Sequence, residues 1–315
     1  MEKELLEFCF TRIELWTFHP CAGYLYTHTI ILTHTSSYRF DHIAVGVWSI
    51  ADAVPFLEDE LGGKPLGGAP NPVFASAQWE FANGGVLEAL DPPPFLDEAS
   101  LNKNFMHQFL TSGGPRVHHV TFKVPNLDEA IASAEEKGWK VVGVNKQSPS
   151  WKEAFIHPKQ EGVGIVVQLA EHRPELRPPW LVELVEDPSF MNSMGSHYKR
   201  PSFESDHPSV SVVGLHLSVR NRDAAMRLWR DTIKGTPEQI SSNVVAFSWQ
   251  ESPMKIFIHF NDASDEGVMH VELQQARPWK QNPSTLMLTQ RSSSPLPHPV
   301  IGAPFLLTAP STSRL

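Results

Sequence analysis

One short strand pattern recurs three times in this chain of 315 residues, each time around a histidine. It reads Asp-His-Ile-Ala-Val-Gly-Val at 41–47, His-His-Val-Thr-Phe-Lys-Val at 118–124 and Leu-His-Leu-Ser-Val at 215–219. Side chains alternate faces along a strand. His42, Ala44 and Gly46 therefore share one face, opposite Ile43, Val45 and Val47. His119, Thr121 and Lys123 lie opposite Val120, Phe122 and Val124, and His216, Ser218 and Arg220 lie opposite Leu215, Leu217 and Val219. Each strand can bury one apolar face and offer one imidazole from the other. An imidazole repeated in one frame predicts a metal site built from duplicated modules.

The segments between these strands predict an α+β fold. Ser49 can cap a helix through Asp52–Leu61 that Gly62-Gly63 closes, although Pro55 falls inside it. Strands follow at Val73–Phe81 and Val86–Leu90 around the turn Asn83-Gly84-Gly85, then a helix from Pro94 to Leu110. After His119 the order returns: Asn126 caps a helix over Leu127–Lys137, and strands follow near Lys140–Val144, Glu153–His157 and Gly164–Leu169. A third copy begins near Ser211, with Asn221 capping Arg222–Ile233 and strands at Asn243–Trp249, Lys255–Phe260 and Val268–Gln274. The expected organisation is an N-terminal extension over 1–38, β-α-β-β-β modules over 39–112 and 113–172, a proline-rich linker over 173–209, a third similar module over 210–277 and a disordered tail over 278–315.

Charge and composition exclude several classes. Lys and Arg number 26 against 35 Asp and Glu, a net charge of −9 without a basic cluster, which argues against nucleic-acid or anionic-membrane partners. No apolar run approaches the ~18–20 residues that span a bilayer. Cys9 and Cys21, the only cysteines, precede the modules, so the modules need no disulfides and fit a reducing, cytoplasmic setting. Glu2, Glu4, Glu7 and Glu14 argue against a mitochondrial presequence, though that destination stays open.

An acid or amide follows each histidine at a similar distance. Glu88, Gln168 and Glu272 lie 46, 49 and 56 positions after His42, His119 and His216, in the frames Val-Leu-Glu-Ala-Leu, Val-Val-Gln-Leu-Ala and His-Val-Glu-Leu-Gln. If the first and last strands of a module are neighbours, two modules side by side bring His42, Glu88, His119 and Gln168 to one ion. Imidazole and oxygen donors suit a divalent first-row metal, Co, Zn, Ni, Mn or Fe, with open positions for substrate. A lone strand histidine is far more often structural than a ligand; the matched frames are what raise this set above that background. His28, His34, His107 and His118 lack partner spacing and read as structural or exposed.

At these residues the chain resembles the vicinal-oxygen-chelate superfamily, the glyoxalase fold, and over 40–171 it looks most like methylmalonyl-CoA epimerase. The resemblance rests on Phe-Asp-His-Ile-Ala-Val (40–45), Val-His-His-Val-Thr-Phe-Lys-Val (117–124), Phe-Ile-His-Pro-Lys (155–159) and Gly-Val-Gly-Ile-Val-Val-Gln-Leu (162–169). It implies paired modules around a divalent metal held by His42, Glu88, His119 and Gln168. It also implies proton removal beside a metal-polarised carbonyl of a small carbonyl or acyl-thioester substrate, with Glu88 as the catalytic carboxylate. The chain departs from the epimerase at two places. Gln168 stands where the epimerase usually has Glu, and the second acid expected before the third strand of the first module is missing around Pro70–Ala77.

The expected function is therefore a metal-dependent isomerase or lyase of this fold. The rivals are a non-haem iron dioxygenase using His42, His119 and Glu88, and a non-catalytic binding protein that keeps the cup alone. The third module, without a visible fourth partner, is expected either to pair with its twin in a homodimer or to cover the first two as a lid, with His216 and Glu272 as relics.

Overall fold

A computed structural model describes residues 37–70, 73–93, 96–176, 210–261, 266–276 and 297–308. The N-terminal extension up to residue 36, most of the linker and the ends of the tail lie outside the described residues, as do His28 and His34.

Fourteen strands are described, in two sheets. The first sheet contains β1 (Arg39–Gly46), β2 (Lys64–Pro70), β3 (Ala75–Glu80), β4 (Val86–Asp91), β5 (Arg116–Lys123), β6 (Val141–Asn145), β7 (Trp151–Ile156) and β8 (Val166–His172). Their order is β2-β3-β4-β1-β5-β8-β7-β6. This is two β-α-β-β-β modules joined by an antiparallel β1–β5 seam, and within each module the first and last strands run parallel. The α+β reading and its repeated modules hold.

Helices start where the capping residues predict. Ser49 accepts from the Asp52 amide at the start of α1 (Ile50–Val54), which winds on as a π-helical turn over Pro55–Glu60. The single helix expected over Pro94–Leu110 is instead two, α2 (Glu98–Leu101) and α3 (Phe105–Gly113). Asn104 divides them, because its side chain caps α3 through the His107 amide. Asn126 caps α4 (Leu127–Glu136), and Asn221 caps α5 (Arg222–Met226), which also continues as a π-helical turn to Thr232.

The second sheet contains β9 (Val210–Val219), β10 (Thr236–Ser241), β11 (Val244–Ser248), β12 (Lys255–Phe260), β13 (Gly267–Gln275) and β14 (Phe305–Thr308), in the order β10-β11-β12-β9-β13-β14. Three expectations are corrected here. The last strand of the third module is β12, not the 268–274 segment. That segment, β13, runs antiparallel to β9 as β1 does to β5, and β14 runs parallel to β13 as β4 does to β1. A two-strand remnant of a fourth module therefore completes the sheet, so part of the tail is ordered and the third module is not partnerless. The error came from β10, Thr-Pro-Glu-Gln-Ile-Ser, which is exposed throughout and carries no alternation to read.

The apolar faces of both sheets share one core. Ile43, Val45, Val120, Phe122, Leu215, Leu217, Trp229 and Trp249 belong to a single buried cluster. Phe40 stacks on Phe122 with centroids 5.0 Å apart, and Trp249 reaches Phe122 from the second sheet at 4.7 Å. Such aromatic pairs add to burial. Polar contacts tie the same seam: Trp139 Nε1 donates to Thr232 Oγ1 and Ser252 Oγ to the Phe40 carbonyl. The loop before β14 also crosses it. His298 stacks on Phe56 at 3.9 Å, and Gly302 (φ 68°) presses so closely on Pro115 that an added Cβ would lie 1.6 Å from its carbonyl oxygen.

Candidate metal centre

The core takes one face of each histidine strand, so the other face collects the imidazoles. Strand register then decides which residues meet. Across the seam Ala44 faces His119 and His42 faces Thr121. Two residues beyond each histidine, Ala44 is in register with Glu88 on β4, and Thr121 with Gln168 on β8.

His42 Nε2 lies 3.2 Å and His119 Nε2 4.0 Å from Glu88 Oε2. Among the described residues, His42, Glu88 and His119 are the one group of three acid or histidine side chains whose ligand atoms all lie within 4.8 Å of one another. All three are buried. Gln168 joins them through Thr121, whose hydroxyl donates to Gln168 Oε1 at 2.5 Å and lies 2.9 Å from His42 Nε2. The four residues singled out in the sequence thus converge. His216 and Glu272 belong to the other sheet and take no part.

The surrounding residues fix both rings. Asp41 Oδ2 is 3.0 Å from His42 Nδ1, and Asp41 is itself held by Arg39 at 2.7 Å and Lys123 at 2.8 Å. Burial alone would pull the His42 imidazolium down; the charge of Glu88 and the hydrogen bond to Asp41 outweigh it and push the pKa up to about 9. His119 is the opposite case. Burial, then the positive charges of His118 and His42, hold it well below the ordinary histidine range. His118, read from the sequence as structural or exposed, places Nδ1 2.7 Å from His119 Nδ1. Burial and Arg116 lower its own pKa to about 4. His119 Nε2 is left buried without a hydrogen-bond partner. A buried imidazole nitrogen beside a carboxylate, a second imidazole and the Gln168 amide is the donor set a divalent first-row cation takes.

Two residues were not anticipated. Gln78 on β3 stands in register with Glu88 and donates to Oε1 at 3.0 Å. Glu153 on β7 accepts from Gln168 Nε2 at 2.7 Å and from Trp151 Nε1 at 3.0 Å. Each module thus pairs one amide with one carboxylate, but in opposite strand positions: Gln78 and Glu88 in the first, Glu153 and Gln168 in the second. The acid sought before β3 has its counterpart on β7. Its signal was the alternation Glu153, Phe155 on the face of Gln168, which Phe155 opposes. Burial raises the Glu153 pKa, and the nearby Glu88 charge adds to it.

Residues 41–155 match the family model of the glyoxalase/bleomycin resistance protein/dioxygenase superfamily. The uncharacterised protein YqjC of Bacillus subtilis (strain 168) is 27% identical over 135 residues, which is 42% of this chain and 91% of YqjC. A hypothetical protein from Staphylococcus aureus superposes over 87% of this chain and 100% of its own, with a TM-score of 0.51 at 12% identity, and so shares the fold across both sheets. Methylmalonyl-CoA epimerase from Mycobacterium tuberculosis covers 47% of this chain and 96% of its own, at 21% identity and a TM-score of 0.38. No helix among the described residues is long and apolar enough to cross a membrane.

Proposed function

We propose that this protein is a metal-dependent isomerase or lyase that moves a proton beside the carbonyl of a small carbonyl or acyl-thioester substrate, in the manner of an epimerase. The observation that carries the reading is the buried, unpartnered His119 Nε2 beside Glu88 and His42, with a second carboxylate, Glu153, on the same face. His42, Glu88, His119 and Gln168 are the residues that would hold the ion. Asp41 orients His42 and His118 orients His119, so that each ring offers Nε2 to the site. A bound divalent ion would supply polarisation of the substrate carbonyl.

The chain's own groups then divide the proton work. Glu88, kept from rotating by Gln78, takes the proton from the carbon next to the carbonyl. The C–H bond breaks and its electron pair passes toward the carbonyl oxygen. Glu153, its acid form favoured by burial, returns a proton to that carbon, and Gln168 and Trp151 fix its carboxyl. Inversion at a carbon requires proton-carrying groups on its two faces, and Glu88 and Glu153 supply one from each module.

Deuterium wash-in tests this. In D2O, metal-loaded protein should exchange the α-hydrogen of a branched acyl thioester, and Glu153→Gln should slow inversion at that carbon more than exchange. Loaded protein that exchanges nothing with any α-branched thioester or 2-oxo substrate ends the isomerase reading and leaves the fold untouched. His42, His119 and Glu88 also compose a two-histidine, one-carboxylate triad, and that composition supports a second reading as a non-haem iron dioxygenase. Iron in the purified protein together with substrate-dependent oxygen uptake would establish it. Metal bound with neither activity would favour a binding protein.

A further inference from the structure

The imidazole face of the first sheet is not uniformly polar. Ala44 and Leu90 lie on it, two residues beyond His42 on β1 and two beyond Glu88 on β4. With Met106 and Leu110 of α3 they form a buried apolar cluster separate from the core that the two sheets share. Phe74, Phe105 and Phe109 pack against it and are only partly buried. The cluster adjoins the metal centre directly, because Ala44 is in register with both Glu88 and His119.

The sequence explains why α3 lies there. Phe105, Met106, Phe109 and Leu110 make one apolar stripe of the helix. Asn104 caps that helix and also donates from Nδ2 to the Val73 carbonyl at 2.7 Å, which ties its start to the chain just before Phe74. Gly46 lets the Phe109 ring reach the strand: a Cβ there would lie 2.7 Å from Phe109 Cε1. Phe105 and Phe109 both meet the His118 ring in T-shaped contacts, at 5.4 and 4.7 Å between centroids. The His118 ring is in turn 4.9 Å from that of His119. Two aromatic rings thus stand one imidazole away from a residue of the centre. The cation beside them, Arg116, is already engaged. Its guanidinium lies 3.6 Å from the Phe109 centroid, Nη1 donates to the Gly114 carbonyl at 2.8 Å, and Nη2 donates to Ser112 Oγ at 3.2 Å.

We propose that this cluster seats the non-reacting part of the substrate, and that the substrate carries an apolar group larger than methyl, best an aromatic ring, on the carbon beside its carbonyl. The inference rests on the isomerase or lyase reading of the centre and names the substrate class for it. A carbon that reacts beside Glu88 must place its substituents on this face of the sheet. Toward Glu153 and Gln168 they meet a carboxyl and an amide that bond each other. Toward Ala44 and α3 they meet apolar side chains and ring edges. An aryl group gains there from edge-to-face contact as well as from leaving water. A second carboxylate on the same carbon would lose its hydration against that wall without a partner.

The test is calorimetric titration of zinc-loaded, tag-free full-length protein with hydroxamates, which chelate the ion and leave one substituent to probe the wall. Affinity should rise about three- to fourfold per methylene from acetohydroxamate to hexanohydroxamate. Phenylacetohydroxamate should bind about 30-fold tighter than acetohydroxamate, and succinohydroxamate, which carries a carboxylate, should gain nothing over it. Phe109→Ala should bring the phenylacetyl and acetyl probes to within about threefold of each other, and Phe105→Leu should narrow the gap by less. The wild-type series needs no variant to fold. Equal affinity along that series, tighter binding of the succinyl probe, or equal binding of the phenylacetyl probe to metal-free protein overturns the proposal. If no hydroxamate binds, acetohydroxamate included, the metal centre fails and this seat with it. A rising series in protein that exchanges no α-hydrogen upholds the seat and ends only the isomerase reading.

Discussion

The two sheets use one backbone plan and fill it differently. In the first, two whole modules meet at the β1–β5 seam, and the positions in register with the second residue after each histidine hold Glu88 and Gln168. In the second, one module meets a two-strand remnant, and the equivalent position holds His259. Glu88 is one of three residues whose ligand atoms converge, whereas Glu272 hydrogen-bonds His216 and belongs to no such group among the described residues. Duplication preserves the frame. The identity of the residue in that frame decides whether a carboxylate reaches the centre or serves as a support.

The sharpest way to break this comparison is His119→Ala. It should abolish tight metal binding at the first centre, a loss of more than about 100-fold, which exceeds what removing an outer-shell partner costs. Full occupancy by elemental analysis would reject the ligand set. Next in size is Trp229→Ala. The indole is fully buried where the sheets join, so the change should cost about 3–5 kcal/mol in denaturant unfolding. The shared core also predicts one transition for both sheets; two separate transitions would show them to be independent.

Asp41→Asn comes third. It keeps the shape but weakens the support of His42, and should lower metal affinity at the first centre by about 10–100-fold. The smallest effect concerns pH. Glu88 and Asp41 push the His42 imidazole up to about 9 in the folded metal-free protein, against about 6.5 for an ordinary histidine. Its contribution to stability is fully present below pH 6.5 and is lost as pH rises through about 9. The melting temperature of metal-free protein should fall over that window, and His42→Gln should flatten the fall. Metal-loaded protein should show the reverse trend in affinity, since binding requires the deprotonated ring.

Much of this could be read in the sequence because alternation and capping are local signals. The histidine strands and the Asn126 and Asn221 caps follow from short spacings, and the meeting of His42, Glu88, His119 and Gln168 from matching frames 46 and 49 positions apart. What escaped had no local signal. Lys64–Pro70 is rich in glycine and proline, Thr236–Ser241 is exposed on both faces, and Phe305–Thr308 is only four residues long. Those strands are defined by the neighbours they pair with. Missing β10 shifted the count by one, which made Glu272 look like the counterpart of Glu88. Glu153 escaped for another reason. The search for a second acid was confined to the first module, and the swap of amide and acid between modules becomes visible only once β7 lies beside β8.

The contact of Gly302 with Pro115 has a consequence for biogenesis. Pro115 belongs to the connection between the first two modules, so that joint receives its final packing from a residue made nearly two hundred positions later. Nascent chains released before residue 302 would leave Phe56 and the joint uncovered. The joint between the first two modules therefore reaches its final packing only once β14 has emerged.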